Sequence, residues 1–150
     1  GLEKIEMYEQ IVREQGMSIS DIFAKKGEEY FRNLETDLVK KISAMDNIVV
    51  SCGGGTVMRQ CNVDEMKKNG TIVLLTAEPQ TVYQRVRNSH NRPLLEENMN
   101  PEYIGRLMEE RKPKYEAAAD FIVKTDGRSA KEICLEIKEC LKIDNNSKKI

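Results

Sequence analysis

The sequence predicts an α/β fold, a parallel sheet with helices on both of its faces. Two observations carry that expectation. Short apolar runs at residues 48–50, 71–75 and 120–123 alternate with longer stretches of helical periodicity. That alternation is the rhythm of parallel strands buried under crossover helices. A third feature marks the sheet end where a ligand would sit. The run at 48–50 is followed by Ser51-Cys52-Gly53-Gly54-Gly55, and ligands of open parallel sheets bind beyond the carboxyl ends of the strands.

The elements follow in order. Ser18-Ile19-Ser20-Asp21 has the spacing of a capping box and opens a short helix. Gly27 closes it, because glycine takes the left-handed conformation at a helix end without a steric penalty. A longer helix spans about 28–43, with Phe31, Leu34, Leu38 and Ile42 at helical spacing. Residues 48–50 read as a buried strand, 63–69 as a helix that stops before Gly70, and 71–75 as a second buried strand. Helices are expected over 81–88 and 101–111, the latter with Pro101 in its first turn, where a missing N–H costs nothing. Pro113 is expected to break that helix and leave Arg111 at its end. A third strand covers 120–123. A terminal helix covers 129–143, with Ile133, Leu135, Ile137 and Leu141 on its apolar side, and residues 144–150 form a frayed polar tail. The polar connection over about 87–100 is the longest and has the character of a lid.

Composition narrows the function. A chain of 150 residues reads as one domain. A net charge of −1 argues against a surface that tracks nucleic-acid phosphates. No apolar run approaches the roughly 18 residues that a membrane span needs. Cys52, Cys61, Cys134 and Cys140 form no C-x-x-C pair, and His90 is the sole histidine, so a zinc centre is not expected. Scattered cysteines of this kind suggest a reduced, cytoplasmic setting.

The arginines and the glycine run are the candidates for chemistry. Arg32 and Glu35 lie three apart and share a helix face. The pair fits either a surface ion pair or a brace that holds a guanidinium for an anionic ligand. Arg85 and Arg87 end a helix, where cations complement the dipole, while Arg92 falls in the polar connection. Gly53, Gly54 and Gly55 fit either a strand-to-helix turn or a cradle whose backbone N–H groups reach a ligand oxygen. It is not a Walker A loop, since G-x-x-x-x-G-K-[ST] occurs nowhere in these 150 residues.

Taken together, GMSISDIFAKKGEEYFRNLE, VVSCGGG, NRPLL and ERKPKYEAAADFIVKTDGRS resemble the shikimate kinase family in order and in spacing. The resemblance covers about residues 2–143. It implies a three-layer P-loop kinase fold and Mg²⁺-dependent transfer of the γ-phosphoryl of ATP to the 3-hydroxyl of shikimate, on the route to the aromatic amino acids. By resemblance, Arg32 and Arg111 grip the shikimate carboxylate, Glu35 buttresses them, and Gly53, Gly54 and Gly55 approach the ring hydroxyls. Arg92 contacts the ATP phosphates and offsets charge on the transferring group. Arg85 stacks near adenine and Arg128 lines the adenine pocket. A monomer is expected if the full domain is present.

The sequence departs from the family at two places. Family members carry a strand, a Walker A loop and a helix, roughly 30 residues, that are not found here. That strand lies in the middle of the family's sheet, so residues 1–143 are expected to form an N-terminally incomplete domain without a normal sheet. The family's Asp-x-Asp, which serves magnesium and substrate, corresponds to Glu6 and Tyr8. Glu6 keeps a carboxylate for the metal; Tyr8 offers none. Both departures leave a second reading open, a kinase-like domain that binds without catalysis. Tyr8 alone suggests a third, a related kinase for another polyol acid.

Overall fold

A computed structural model describes residues 2–87 and 100–147. Strand β1 (Glu3–Glu6) runs straight into helix α1 (Met7–Gln15). Glu6 makes the change of direction. It is extended, and its carboxylate accepts the N–H groups of Tyr8 at 3.3 Å and Glu9 at 2.8 Å, satisfying two of the free donors at the helix start. Periodicity does not reveal either element, because EKIE has no apolar run and no turn residue separates it from the helix.

Helix α2 (Ile19–Lys26) opens on the expected cap, with Ser18 Oγ accepting the N–H of Asp21 at 3.1 Å. Gly27, at φ 90°, closes α2 by donating to the carbonyls of Ile22 and Phe23, and α3 (Glu28–Ser43) starts at once. Strand β2 (Ile48–Ser51) leads through the glycines into a single 3₁₀ turn (Thr56–Met58). Helix α4 (Gln60–Asn69) begins three residues before its apolar periodicity does. Strand β3 (Val73–Thr76) and helix α5 (Pro79–Val86) follow. Helix α6 (Pro101–Ala118), strand β4 (Phe121–Lys124) and helix α7 (Ala130–Ser147) complete the described fold.

Helix α6 corrects one expectation. It does not end near Arg111 but continues through Pro113 to Ala118. Proline lacks an N–H and crowds the carbonyl four residues back, at a cost of about 3 kcal/mol. Contacts beyond the proline hold the helix together. Tyr115 donates from its hydroxyl to Gly54 O at 2.6 Å, Lys114 Nζ donates to Met58 O at 2.9 Å, and Ala118 is buried. Arg111 and Tyr115 therefore stand one turn apart on a single face.

The strands pair in parallel, as expected, but in two separate sheets. β1 pairs with β2 (Ile5↔Val50, Glu6↔Ser51) and β3 pairs with β4 (Leu74↔Ile122, Leu75↔Val123). β2 and β3 are not joined to each other. That is the arrangement the resemblance implies when the family's middle strand is not among these residues. The main core lies on one face of β1–β2, where Met7, Ile11, Ile19, Ile22, Phe31, Leu38 and Val39 are buried between α1, α2 and α3, with Ile5 and Val50 against them. Each such side chain contributes roughly 1.5–3 kcal/mol on burial. Val49 of β2 and Leu75 of β3 are each 53% exposed, so the strands flanking the break leave apolar surface uncovered.

Candidate active site

The carboxyl ends of both sheets open on one cavity of about 640 Å³. Tyr8, Arg32, Gly54, Gly55, Arg111 and Tyr115 line it on the side of β2. Thr76, Pro79, Arg85 and Thr125 line it on the side of β3 and β4.

The three glycines are needed for room. None of them has a positive φ. Instead, side chains occupy the place of the missing Cβ at Gly53 and Gly55 and crowd it at Gly54. The Tyr8 ring fills it at Gly53 and the Arg32 guanidinium fills it at Gly55. At Gly54 an added methyl would stand 3.0 Å from Arg111 Nη1 and 3.1 Å from the Tyr115 hydroxyl. Consecutive residues are only about 3.8 Å apart along the backbone. Two guanidiniums, from helices α3 and α6, are thereby brought to neighbouring positions of one turn. A methyl at Gly55 must push Arg32 from its place. We expect Gly55→Ala to weaken binding of a small carboxylate ligand at this turn at least about tenfold, on the scale of one lost charge-assisted contact. Calorimetric titration checks this, and wild-type affinity would contradict the geometry.

Arg32 and Glu35 are not a surface pair. Glu35 is fully buried, and its Oε1 accepts from Arg32 Nη1 at 2.6 Å. Its Oε2 accepts from the Thr56 hydroxyl at 2.8 Å. Burial by itself lowers the pKa of the Arg32 guanidinium, but the hydrogen bond and charge of Glu35 outweigh it and the net shift is upward. The positive charge is thus fixed and permanent. Arg111 is held differently. Its Nη1 donates to Tyr115 Oη at a long 3.4 Å, and among the described residues no carboxylate pairs with it. A half-buried guanidinium without an acid invites an anion.

The remaining predicted residues are scattered. Arg85 reaches the far wall, donating to Thr125 Oγ1 at 2.9 Å and Thr125 O at 3.2 Å. Thr125 in turn donates to Thr76 O at 2.8 Å, so Arg85 fastens the ends of β3 and β4. Next to it, Asp126 accepts the Glu78 N–H at 3.0 Å. Hydrogen bonds from Thr81 and from that N–H hold its carboxyl below the usual range. Arg128 does not line the cavity. It donates to Lys124 O at 2.8 Å and pairs with Glu136 at 3.5 Å. Arg92, His90 and most of the expected lid lie outside the described residues.

Sequence reasoning missed Thr56, Asn62, Tyr115 and Thr125. Tyr115 stands four residues after Arg111, a signal hidden by the expected break at Pro113. Thr56 is marked only by a hydroxyl directly after the glycines.

Cys52, between β2 and the glycines, has its thiol pushed up to about 11, by burial and then by the carboxylates of Glu35 and Glu6. A raised folded-state value means that stability from this thiol is present below its unfolded value of about 8.5 and is lost as pH rises toward 11. Alkylation of Cys52, followed by peptide mass spectrometry, should accelerate only as pH approaches 11. Rapid labelling at neutral pH would contradict this.

A family model for shikimate kinase matches residues 1–142. This chain belongs to the shikimate kinase family. The shikimate kinase of Thermodesulfovibrio yellowstonii is 36% identical over 146 residues, covering 97% of this chain and 84% of that protein. The shikimate kinase of Persephonella marina is 39% identical over 137 residues, covering 91% of this chain and 82% of its own length. Among solved structures, shikimate kinase from Acinetobacter baumannii in complex with shikimate superposes with a TM-score of 0.89 at 31% identity, covering 97% of this chain and 80% of that one. Shikimate kinase from Aquifex aeolicus gives 0.80 at 33% identity, with 96% and 83% covered. Membership in the shikimate kinase family makes this an ATP-dependent small-molecule kinase of aromatic amino acid biosynthesis. It implies shikimate and ATP as substrates and Mg²⁺ as the ion that accompanies ATP.

The described residues do not themselves assemble a metal cage. Both oxygens of the Glu6 carboxylate accept helix N–H groups, and no group of three or more His, Cys, Asp or Glu could hold an ion among the described residues. No helix among them is long and apolar enough to cross a membrane.

Proposed function

We propose that this chain holds the carboxylate of shikimate between Arg32 and Arg111 and presents the 3-hydroxyl of the ring for phosphorylation by ATP. The observation that carries this reading is the pair of guanidiniums at Gly54 and Gly55, one braced by a buried acid and the other without one. A planar carboxylate can accept from two such forks at once. Gly53, Gly54 and Gly55 bring backbone close to the ring, with Gly54 the most direct contact. The relative solved with shikimate bound supports the same ligand class here. ATP takes the side bordered by Arg85. The roles expected of Arg92 and Arg128 toward ATP rest on resemblance alone, as does the role of Glu6 toward Mg²⁺.

Phosphoryl transfer needs a phosphate-binding loop, and these 150 residues contain no Walker A motif. In the family reading, the strand that leads into such a loop would lie between β2 and β3. Among the described residues β2 pairs only with β1 and β3 only with β4, and residues at the carboxyl ends of both sheets line the cavity. A parallel strand there would pair with both edges and deliver the loop after it to the cavity mouth.

An ADP-release assay with shikimate and Mg²⁺–ATP, run on the natural polypeptide beside a shikimate titration, tests this. Saturable binding with turnover is expected. Failure to bind shikimate would sink the reading.

A further inference from the structure

We propose that Thr56 is a positioning residue that aims the Arg32 guanidinium through Glu35. The inference rests on the shikimate-binding reading above and adds to it a residue that touches no substrate.

A carboxylate held by one oxygen can still rotate about its own bond, since this terminal torsion is broad. Glu35 is held by both. Arg32 takes Oε1 at 2.6 Å and Thr56 takes Oε2 at 2.8 Å. The second donor fixes the carboxylate plane, and that plane fixes where the other N–H groups of Arg32 point. Glu28, at 3.4 Å and largely exposed, is too loose a partner to do this.

Thr56 is itself immobilised from three directions. It is fully buried, and its branched side chain has few rotamers. Its N–H donates to Gly53 O at 3.2 Å, which joins it to the glycine turn. Its carbonyl accepts from Asn62 Nδ2 at 2.8 Å, and Asn62 is buried as well. One residue thus couples the backbone that Arg32 packs against with the acid that anchors Arg32. Both ends of the guanidinium's setting are referred to the same point.

The test compares Thr56→Val, which keeps the shape and loses the hydroxyl, with Thr56→Ser, which keeps the hydroxyl. Shikimate affinity is measured by calorimetry on the full chain, beside unfolding in urea. Thr56→Val is expected to weaken binding about tenfold, the loss of one hydrogen bond to a charged group. Thr56→Ser should stay within about twofold of wild type. Should the valine variant fail to fold, Thr56→Cys, with its weak donor, is expected to lose affinity severalfold.

A merely structural role would lower urea stability in the valine variant and leave affinity unchanged. That outcome, or wild-type affinity in the cysteine variant, overturns the proposal. Arg111→Ala separates the two levels of the argument, because Arg111 bonds to Tyr115 and not to the Thr56–Glu35 pair. If Arg111→Ala loses shikimate and Thr56→Val does not, only the positioning role falls. If wild type binds no shikimate, the substrate reading falls and takes this inference with it.

Discussion

Arg111→Ala is expected to weaken shikimate binding by about 2–5 kcal/mol, the usual loss when one member of a desolvated charge pair is removed. That corresponds to roughly thirtyfold to several thousandfold in dissociation constant. The size follows from how Arg111 is held. No acid pairs with it among the described residues, so its charge has not been neutralised in advance. The same fact predicts that the substitution leaves folding stability nearly unchanged, because no buried acid is orphaned. Arg111→Lys should fall between, keeping the charge but losing the planar fork. Calorimetric titration with each variant decides it. Unchanged affinity in the alanine variant would remove Arg111 from the site.

Arg32→Met should cost stability as well as binding. It leaves the Glu35 carboxylate buried with only the Thr56 hydroxyl as donor. Breaking a buried pair from one side costs about 3–5 kcal/mol, far above the 0–1 kcal/mol of a surface pair. Urea unfolding measures this directly. Replacing both residues with apolar ones should recover most of the loss, since no charge is then left without a partner. A loss under about 1 kcal/mol in the single variant would return the pair to the surface class. The two arginines would thus separate by readout, with Arg111 affecting binding and Arg32 affecting binding and stability together.

The parts of this fold that the sequence discloses are those whose cause is local. The Ser18 cap, the Gly27 stop and the span of α3 depend on spacing within one or two turns, and the structure places all three as expected. The miss at Pro113 has the opposite origin. Local chemistry ends the helix there, but Tyr115 and Lys114 are held by groups more than 50 residues away in sequence. Strand β1 is short and polar, and it exists because Ile48–Ser51 lies beside it. For the site, the sequence gives the arginines and the glycines through family resemblance. It cannot give the burial of Glu35, which depends on Thr56 arriving from 21 residues away. Nor can it say that Arg128 turns toward Lys124 and Glu136 instead of the cavity.

The break between β2 and β3 has a mechanical consequence. Arg32 rides on α3, which packs with the first sheet, and Arg111 rides on α6, which packs with α5 beside the second. Among the described residues, no strand pairs with both sheets. A small acid gripped by both arginines, as proposed above, would add a further tie between the two sheets beside the Tyr115–Gly54 and Lys114–Met58 hydrogen bonds. Its binding free energy adds to the cohesion of the two halves, by an amount that grows with the logarithm of ligand concentration. In such a molecule, substrate is part of the scaffolding as well as the cargo.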